Sequence, residues 1–131
     1  MRRTLVGSAT AVVLALSSAS LAAHHSFTAE FDQNKTITLR GTLTKVEFTN
    51  PHGWLYLNVK DADGKVVNWN LEIASPNYLK RAGWSSTSLK QGDEVTVEGS
   101  MARSGANMAN ASAVTFADGT RVFARSAADN R

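Results

Sequence analysis

The chain carries three histidines and no cysteine, and the histidines fall in two places. His24 and His25 are adjacent in the stretch SLAAHHSF, Ser20 to Phe27, and His52 follows a proline in Asn50-Pro51-His52-Gly53. The residues before His24 have the layout of a removable export signal, which puts one of the paired histidines at or beside a new amino terminus. An amine next to an imidazole is a chelating pair. The amine's ordinary pKa is about 8, so a metal displaces its proton at modest cost near neutral pH. Cleavage after Ala22 leaves Ala23 first and His25 third. The amine, two peptide nitrogens and the His25 imidazole can then surround an ion in a square plane, which suits Cu(II) or Ni(II). Cleavage after Ala23 leaves His24 first, with its amine and ring on one ion. A second imidazole, from His25 or with better geometry from His52, would complete a T-shaped copper site. Ser20 and Ala22 are the small residues that favour the first cut. Both frames stand.

Two thioethers extend the candidate set. Met101 closes an expected strand and Met108 lies in the loop expected after it, on the side of the fold where His52 is also expected. Soft thioether ligands beside a histidine suit Cu(I). Methionine is also the usual filler of irregular core gaps, and that role stays open for both.

Residues 1–23 supply the signal: Arg2 and Arg3 at the start, an apolar run from Leu5 to Leu16, and small residues up to Ala23. The apolar run is too short to span a bilayer comfortably, and no later stretch is long enough. The expected destination is the periplasm or the exterior of a bacterium. Removing the signal takes two of the 14 basic side chains and none of the 11 acidic ones. The near-neutral remainder gives no electrostatic case for nucleic acid, and no transmembrane segment is expected in the mature chain. Without cysteine no disulfide can staple the fold, so residues 24–124 must form one domain on a packed core, followed by a polar tail at 125–131.

The patterning is that of strands. Ile37, Leu39 and Leu43 alternate with polar residues before the parity shifts to Val46 and Phe48, with Gly41 inside the run. This predicts a long, bent and bulged first strand. Asn50 to Gly53 fits a type I turn. Trp54 to Lys60 and Val66 to Ile73 form a hairpin across Asp63-Gly64, the second strand burying Val67, Trp69, Leu71 and Ile73 and exposing Asn68, Asn70 and Glu72. A short helix follows, capped by Ser75, begun by Pro76 and ended by Gly83. Glu94 to Ala102 and Ala111 to Ala117 are further strands, with a short return through Val122 and Phe123. The expected class is all-β with one short helix. Three strands, a helix and two strands, with a bent first strand, give the order of a small five-stranded OB-fold-like barrel. A small open β-sandwich is the alternative.

No catalytic signature is present: no G-x-S-x-G, no P-loop, no H-E-x-x-H and no thiol nucleophile. Glu94 and Glu98 alternate on a strand, as a solvated face would have them. The expectation is a non-catalytic binding protein. A second binding chemistry lies on the outer strand face, where Trp54 and Tyr56 neighbour Asn68 and Asn70. Rings flanked by amides form a stacking platform for a cell-envelope glycan or a protein segment. Alternatively, Phe27 and Phe31 of the N-terminal segment cover those rings and complete the fold.

The motifs HHSF, Phe31-Asp32, GTLTKVEFTNPHGW, SLKQGDEVTVEG and ADGTRV together resemble a family of small exported bacterial proteins classed as a domain of unknown function. The resemblance spans nearly the whole chain after the signal. It implies export and a compact β-rich domain, and it brings no activity or substrate. His24, His25 and His52 match positions within the family's motifs, and Phe48 stands where that pattern more often has tryptophan.

Overall fold

The computed structural model describes residues 27–125. The expected export signal and the candidate ligands His24 and His25 lie outside them. After a helical turn at residues 27–30, the chain forms β1 (Phe31–Glu47), β2 (Gly53–Lys60), β3 (Val66–Ile73), α1 (Pro76–Arg81), β4 (Glu94–Ala102), β5 (Met108–Phe116) and β6 (Arg121–Phe123). Consecutive neighbours in the order β3-β2-β1-β4-β5-β6 are antiparallel, and a parallel β3–β5 pairing from Asn70–Met108 to Glu72–Asn110 closes five of them into a ring. The fold is mostly β and barrel-like, with one uneven seam at this short parallel contact. Its ring order and the placement of α1 between β3 and β4 are those of the expected OB-like barrel. Hydrogen bonding across β3–β5 is what separates it from an open sandwich.

Strand β1 serves two partners, and glycine lets it do so. Its first half pairs with β4 and its second half with β2. At Gly41 a Cβ would lie 2.4 Å from the Asn58 carbonyl oxygen, so only glycine permits the crossing. The register slips between Leu43 and Lys45, where Thr44 donates its hydroxyl to the Tyr56 carbonyl at 3.1 Å. This is the expected bulge, and it turns Val46 onto the core.

Leu43, Leu55, Leu57, Leu71 and Val114 fill the barrel with no measurable exposure, and Val95 and Val97 are nearly as deep. Burying each such side chain stabilises the fold by about 1.5–3 kcal/mol. Helix α1 packs on the core through Leu79. The Ser75 hydroxyl accepts the Tyr78 N–H at 3.4 Å, and Pro76 opens the helix. Beyond it, the N–H groups of Gly83 and Trp84 bond back to Lys80 and Leu79 at 3.2 and 2.9 Å, a Schellman ending made possible by the positive φ of Gly83. The Trp84 indole N–H then donates to the Phe123 carbonyl at 2.8 Å and fastens β6.

Three local expectations change. Strand β5 starts at Met108, so Met108 is a strand residue and not a loop residue; its pairing with Asn70 supplies order that the run Met-Ala-Asn lacks by propensity. The Asn50–Pro51 bond is cis, which replaces the expected type I turn. Prolyl bonds prefer trans by only about 0.5–1 kcal/mol, so local sequence does not choose the isomer. Trp69, expected to be buried with Leu71 and Ile73, is only half-buried.

Candidate functional site

His52 immediately precedes β2, where Gly53 pairs with Ile73 and Trp54 with Glu72. The Thr49 hydroxyl donates to the His52 carbonyl at 2.7 Å and fixes the loop against this end of the sheet. There the imidazole Nδ1 lies 3.0 Å from the Glu72 Oε1. Glu72 belongs to a row that crosses the outer face of the barrel: Trp54 on β2, Glu72 on β3, Asn110 on β5 and Ser100 on β4. Strand alternation places Glu72 on this face, as expected, but it is not exposed. Glu72, Asn110 and Ser100 are 7%, 2% and 3% accessible.

The cover comes from the two ends of the described chain. Arg125, assigned above to the polar tail, lies across the row. Its guanidinium donates to the Asn110 carbonyl at 2.8 Å, to the Ser100 hydroxyl at 3.0 Å and, through Nε, to the Asn110 Oδ1. The same guanidinium sits 5.1 Å from the centre of the Phe27 ring. Asn110 passes the polarity on, because its oxygen is taken by Arg125 and its Nδ2 donates to the Glu72 Oε1 at 3.0 Å. Arginine has only donors and a carboxylate only acceptors, so the chain of bonds runs one way and ends on Glu72. A carboxylate accepting from Nδ1–H fixes the ring direction and, in the neutral imidazole, puts the lone pair on Nε2, as in the carboxylate–histidine pairs that orient metal ligands. Glu72, Asn110, Ser100 and Arg125 were not among the residues singled out by sequence. Their only signal was position on the outward face.

The thioethers divide. Met108 lies two residues from Asn110 on the same face of β5 and packs against the cluster of Phe27, Phe31 and Ala102. It borders the polar row on the side of this cluster. Met101 pairs with Ala109 and so faces opposite to Ser100 and Asn110. It is not part of the set. Among the described residues no group of three or more His, Cys, Asp or Glu could hold a metal ion. His25 is two residues from Phe27, a reach of up to about 7 Å in extended chain.

The aromatic face is more occupied than the sequence predicts. Phe27 and Phe31 do not form its lid; their rings, 5.6 Å apart, pack on Ala102 and Met108. Trp54 and Tyr56 are half-buried. The Tyr56 hydroxyl donates to the Glu47 carboxylate at 2.9 Å, and the Lys45 ammonium, paired with Glu47, sits 5.3 Å from the Tyr56 ring centre. Asn68 donates to the Asn58 side chain at 3.0 Å, and Asn70 is exposed. The Tyr56 ring thus already has a cation on it.

The bond to Glu47 raises the Tyr56 pKa above the ordinary 10, while bonds from Lys45 and then Tyr56 lower that of Glu47. A raised phenol stabilises the fold below the ordinary tyrosine value, and that contribution is lost as pH rises through the folded value. Glu47→Gln is expected to bring the Tyr56 titration down toward 10, followed by NMR of the phenol carbon. A midpoint that does not move would remove Glu47 as the cause.

A family model described as Family of unknown function (DUF6152) matches residues 11–111. No curated protein and no solved structure matches the chain. Among the described residues no helix is long and apolar enough to cross a membrane.

Proposed function

The chain belongs to the DUF6152 family, whose function is unknown, and we propose that within it this protein is an exported, non-catalytic metal carrier or buffer. It binds copper or a similar divalent ion through the processed amino terminus, His24 or His25, and His52. The observation that carries this reading is the 3.0 Å contact between the His52 Nδ1 and the buried Glu72. An imidazole on an exposed turn would have no need of a buried carboxylate behind it, whereas a ligand imidazole gains basicity and a fixed direction from one. In support, Phe27 sits beside Arg125, on the polar row that ends at Glu72, and His25 is two residues before it in the sequence. Met108 is available as a neighbouring soft group. The ion's remaining positions would be filled by water or exchangeable ligands, as a carrier requires.

The alternative, a module binding an envelope glycan or protein through Trp54, Tyr56, Asn68 and Asn70, draws less support from a ring already paired with Lys45.

The test is a copper titration on protein exported and processed by a bacterial host, with native mass spectrometry to read the first residue and any retained metal. His52→Ala is expected to weaken binding by at least the roughly tenfold to 100-fold that loss of a residue orienting a metal ligand costs. Asn50→Ala in the same loop should leave it unchanged. Equal affinities for the two variants would eliminate His52 as a ligand.

A further inference from the structure

The chain holds two copies of the pattern Asn-x-Ser/Thr, the acceptor pattern for N-linked glycan in exported proteins. One is Asn34-Lys35-Thr36 in β1 and the other is Asn110-Ala111-Ser112 in β5. A pattern this short also arises by chance, so its surroundings decide whether either copy can be used. Asn34 stands where β1 bulges away from its partner. Between the pairs Phe31–Ala102 and Thr36–Ser100 the register slips, setting Asp32, Gln33, Asn34 and Lys35 against Met101 alone. Pairing with β2 begins only at Gly41, so these four residues belong to neither ladder. Gln33, Asn34, Lys35 and Thr36 are all exposed. The Asn34 main-chain N–H donates to the Asp32 Oδ1 at 3.0 Å, which closes a small Asx turn. Among the described residues, the Asn34 side-chain amide and the Thr36 hydroxyl make no hydrogen bond.

The second copy is closed. Asn110 is 2% accessible, its amide is held between Glu72 and Arg125, and the Ser112 hydroxyl donates to the Glu98 carbonyl at 3.0 Å. The two also differ two residues upstream, where Asn34 has Asp32 and Asn110 has Met108. An acid at that place belongs to the longer acceptor pattern that bacterial single-subunit transferases read. The Asp32 carboxylate lies 3.7 Å from the Arg103 guanidinium, a contact near the surface that is worth little and easily given up.

We propose that Asn34 is an acceptor site for an N-linked glycan delivered from a polyprenyl-diphosphate-linked oligosaccharide. In the transfer, the Asn34 Nδ2 bonds to the anomeric carbon of the first sugar. The bond from that carbon to the diphosphate oxygen breaks, and the lipid diphosphate leaves with the electron pair. One amide proton passes to a base of the transferase. An amide nitrogen is a weak nucleophile because its lone pair is shared with the carbonyl, so the enzyme must grip and turn the whole group. The free Asn34 amide permits this, and an amide bonded inside the fold, as at Asn110, does not. The proposal rests on the export stated above and is independent of the metal reading.

The experiment incubates the purified folded protein with a purified bacterial oligosaccharyltransferase and a synthetic polyprenyl-diphosphate oligosaccharide, with a short acceptor peptide as internal control. Intact mass is expected to rise by one glycan per chain, mapped to Asn34 by peptide mass spectrometry. Asn34→Gln, Thr36→Val and Asp32→Asn should each abolish the increment. Asparagine at 32 can still accept in the Asx turn, and all three variants should keep the parent's thermal midpoint, which separates a lost acceptor from a damaged fold. An unmodified protein beside a modified control peptide would overturn the proposal. So would transfer only after denaturation, a glycan mapped to Asn110, or an increment that survives Asn34→Gln. Enzyme and donor are both supplied, so failure here strikes the site alone, whereas failure of export is read from the first residue in the native mass spectrum described above.

Discussion

Gly99→Val is expected to destabilise the domain by about 3 kcal/mol or more, at the upper end of what overpacking costs, and to leave much of the protein insoluble. A Cβ at this position would lie 2.4 Å from the Asn110 carbonyl oxygen, with the Asn110 carbonyl carbon and the Ala111 Cα at 3.1 and 3.2 Å. All three are backbone atoms of the paired strand, so no rotamer change can make room and β4 must move away from β5. The register already shifts between Glu98 and Gly99, which shows where the pairing bends to bring the strands this close. The displaced carbonyl is also the one that accepts from Arg125 at 2.8 Å, so the damage spreads to the polar row behind His52. Gly119→Asn is the comparison. Nothing lies within 4 Å of a Cβ there, and asparagine tolerates its positive φ better than other residues do. Urea denaturation of the two variants checks the difference. Similar midpoints would show that the sheet yields at Gly99 more easily than the geometry allows.

Arg125→Ala is expected to cost about 2–4 kcal/mol, because it strands partners that are already out of water. The Asn110 Oδ1 and carbonyl and the Ser100 hydroxyl would lose a charged donor together, and Phe27 would lose the guanidinium beside its ring. Lysine should recover only part of this, since a single ammonium cannot reproduce the planar fork that reaches both Asn110 and Ser100. The loss should also loosen the helical turn at residues 27–30. Its Glu30 carbonyl accepts the Arg103 N–H at 2.9 Å, so exchange protection of the Arg103 amide reports on the turn directly. A variant within about 0.5 kcal/mol of the parent, with unchanged Arg103 exchange, would show that Arg125 merely rests on the row.

These two changes act on one construction from opposite sides. Gly99 lets β4 and β5 approach closely enough to seat Ser100 beside Asn110, and Arg125 closes the top of that seat. Glu72 lies at the far end of the same chain of bonds and meets His52. The direction of the imidazole therefore depends on residues spread over β3, β4, β5 and the segment after β6.

Periodicity and local backbone chemistry were legible in the residues alone. The alternation of Leu55, Leu57 and Val59, the Asp63-Gly64 turn, the glycine in β1 with its parity change, and the Ser75-Pro76 start and Gly83 stop of α1 are all local signals, and each corresponds to the element observed. Together they sufficed for the barrel's order. His52 could be marked as a candidate from residue type alone. Everything that depends on which segment lies over which was settled by long-range packing. Alternation put Glu72 on the outer face correctly, but there it is buried against partners distant in sequence, Asn110 and His52, with Arg125 folded back across Asn110. Trp69 shows the converse: its inward face was legible, but it stays half-buried at the wall of a cleft beside Leu39 and Val59. Period-two patterning records the two faces of a strand, and burial is set by long-range packing that no local period encodes.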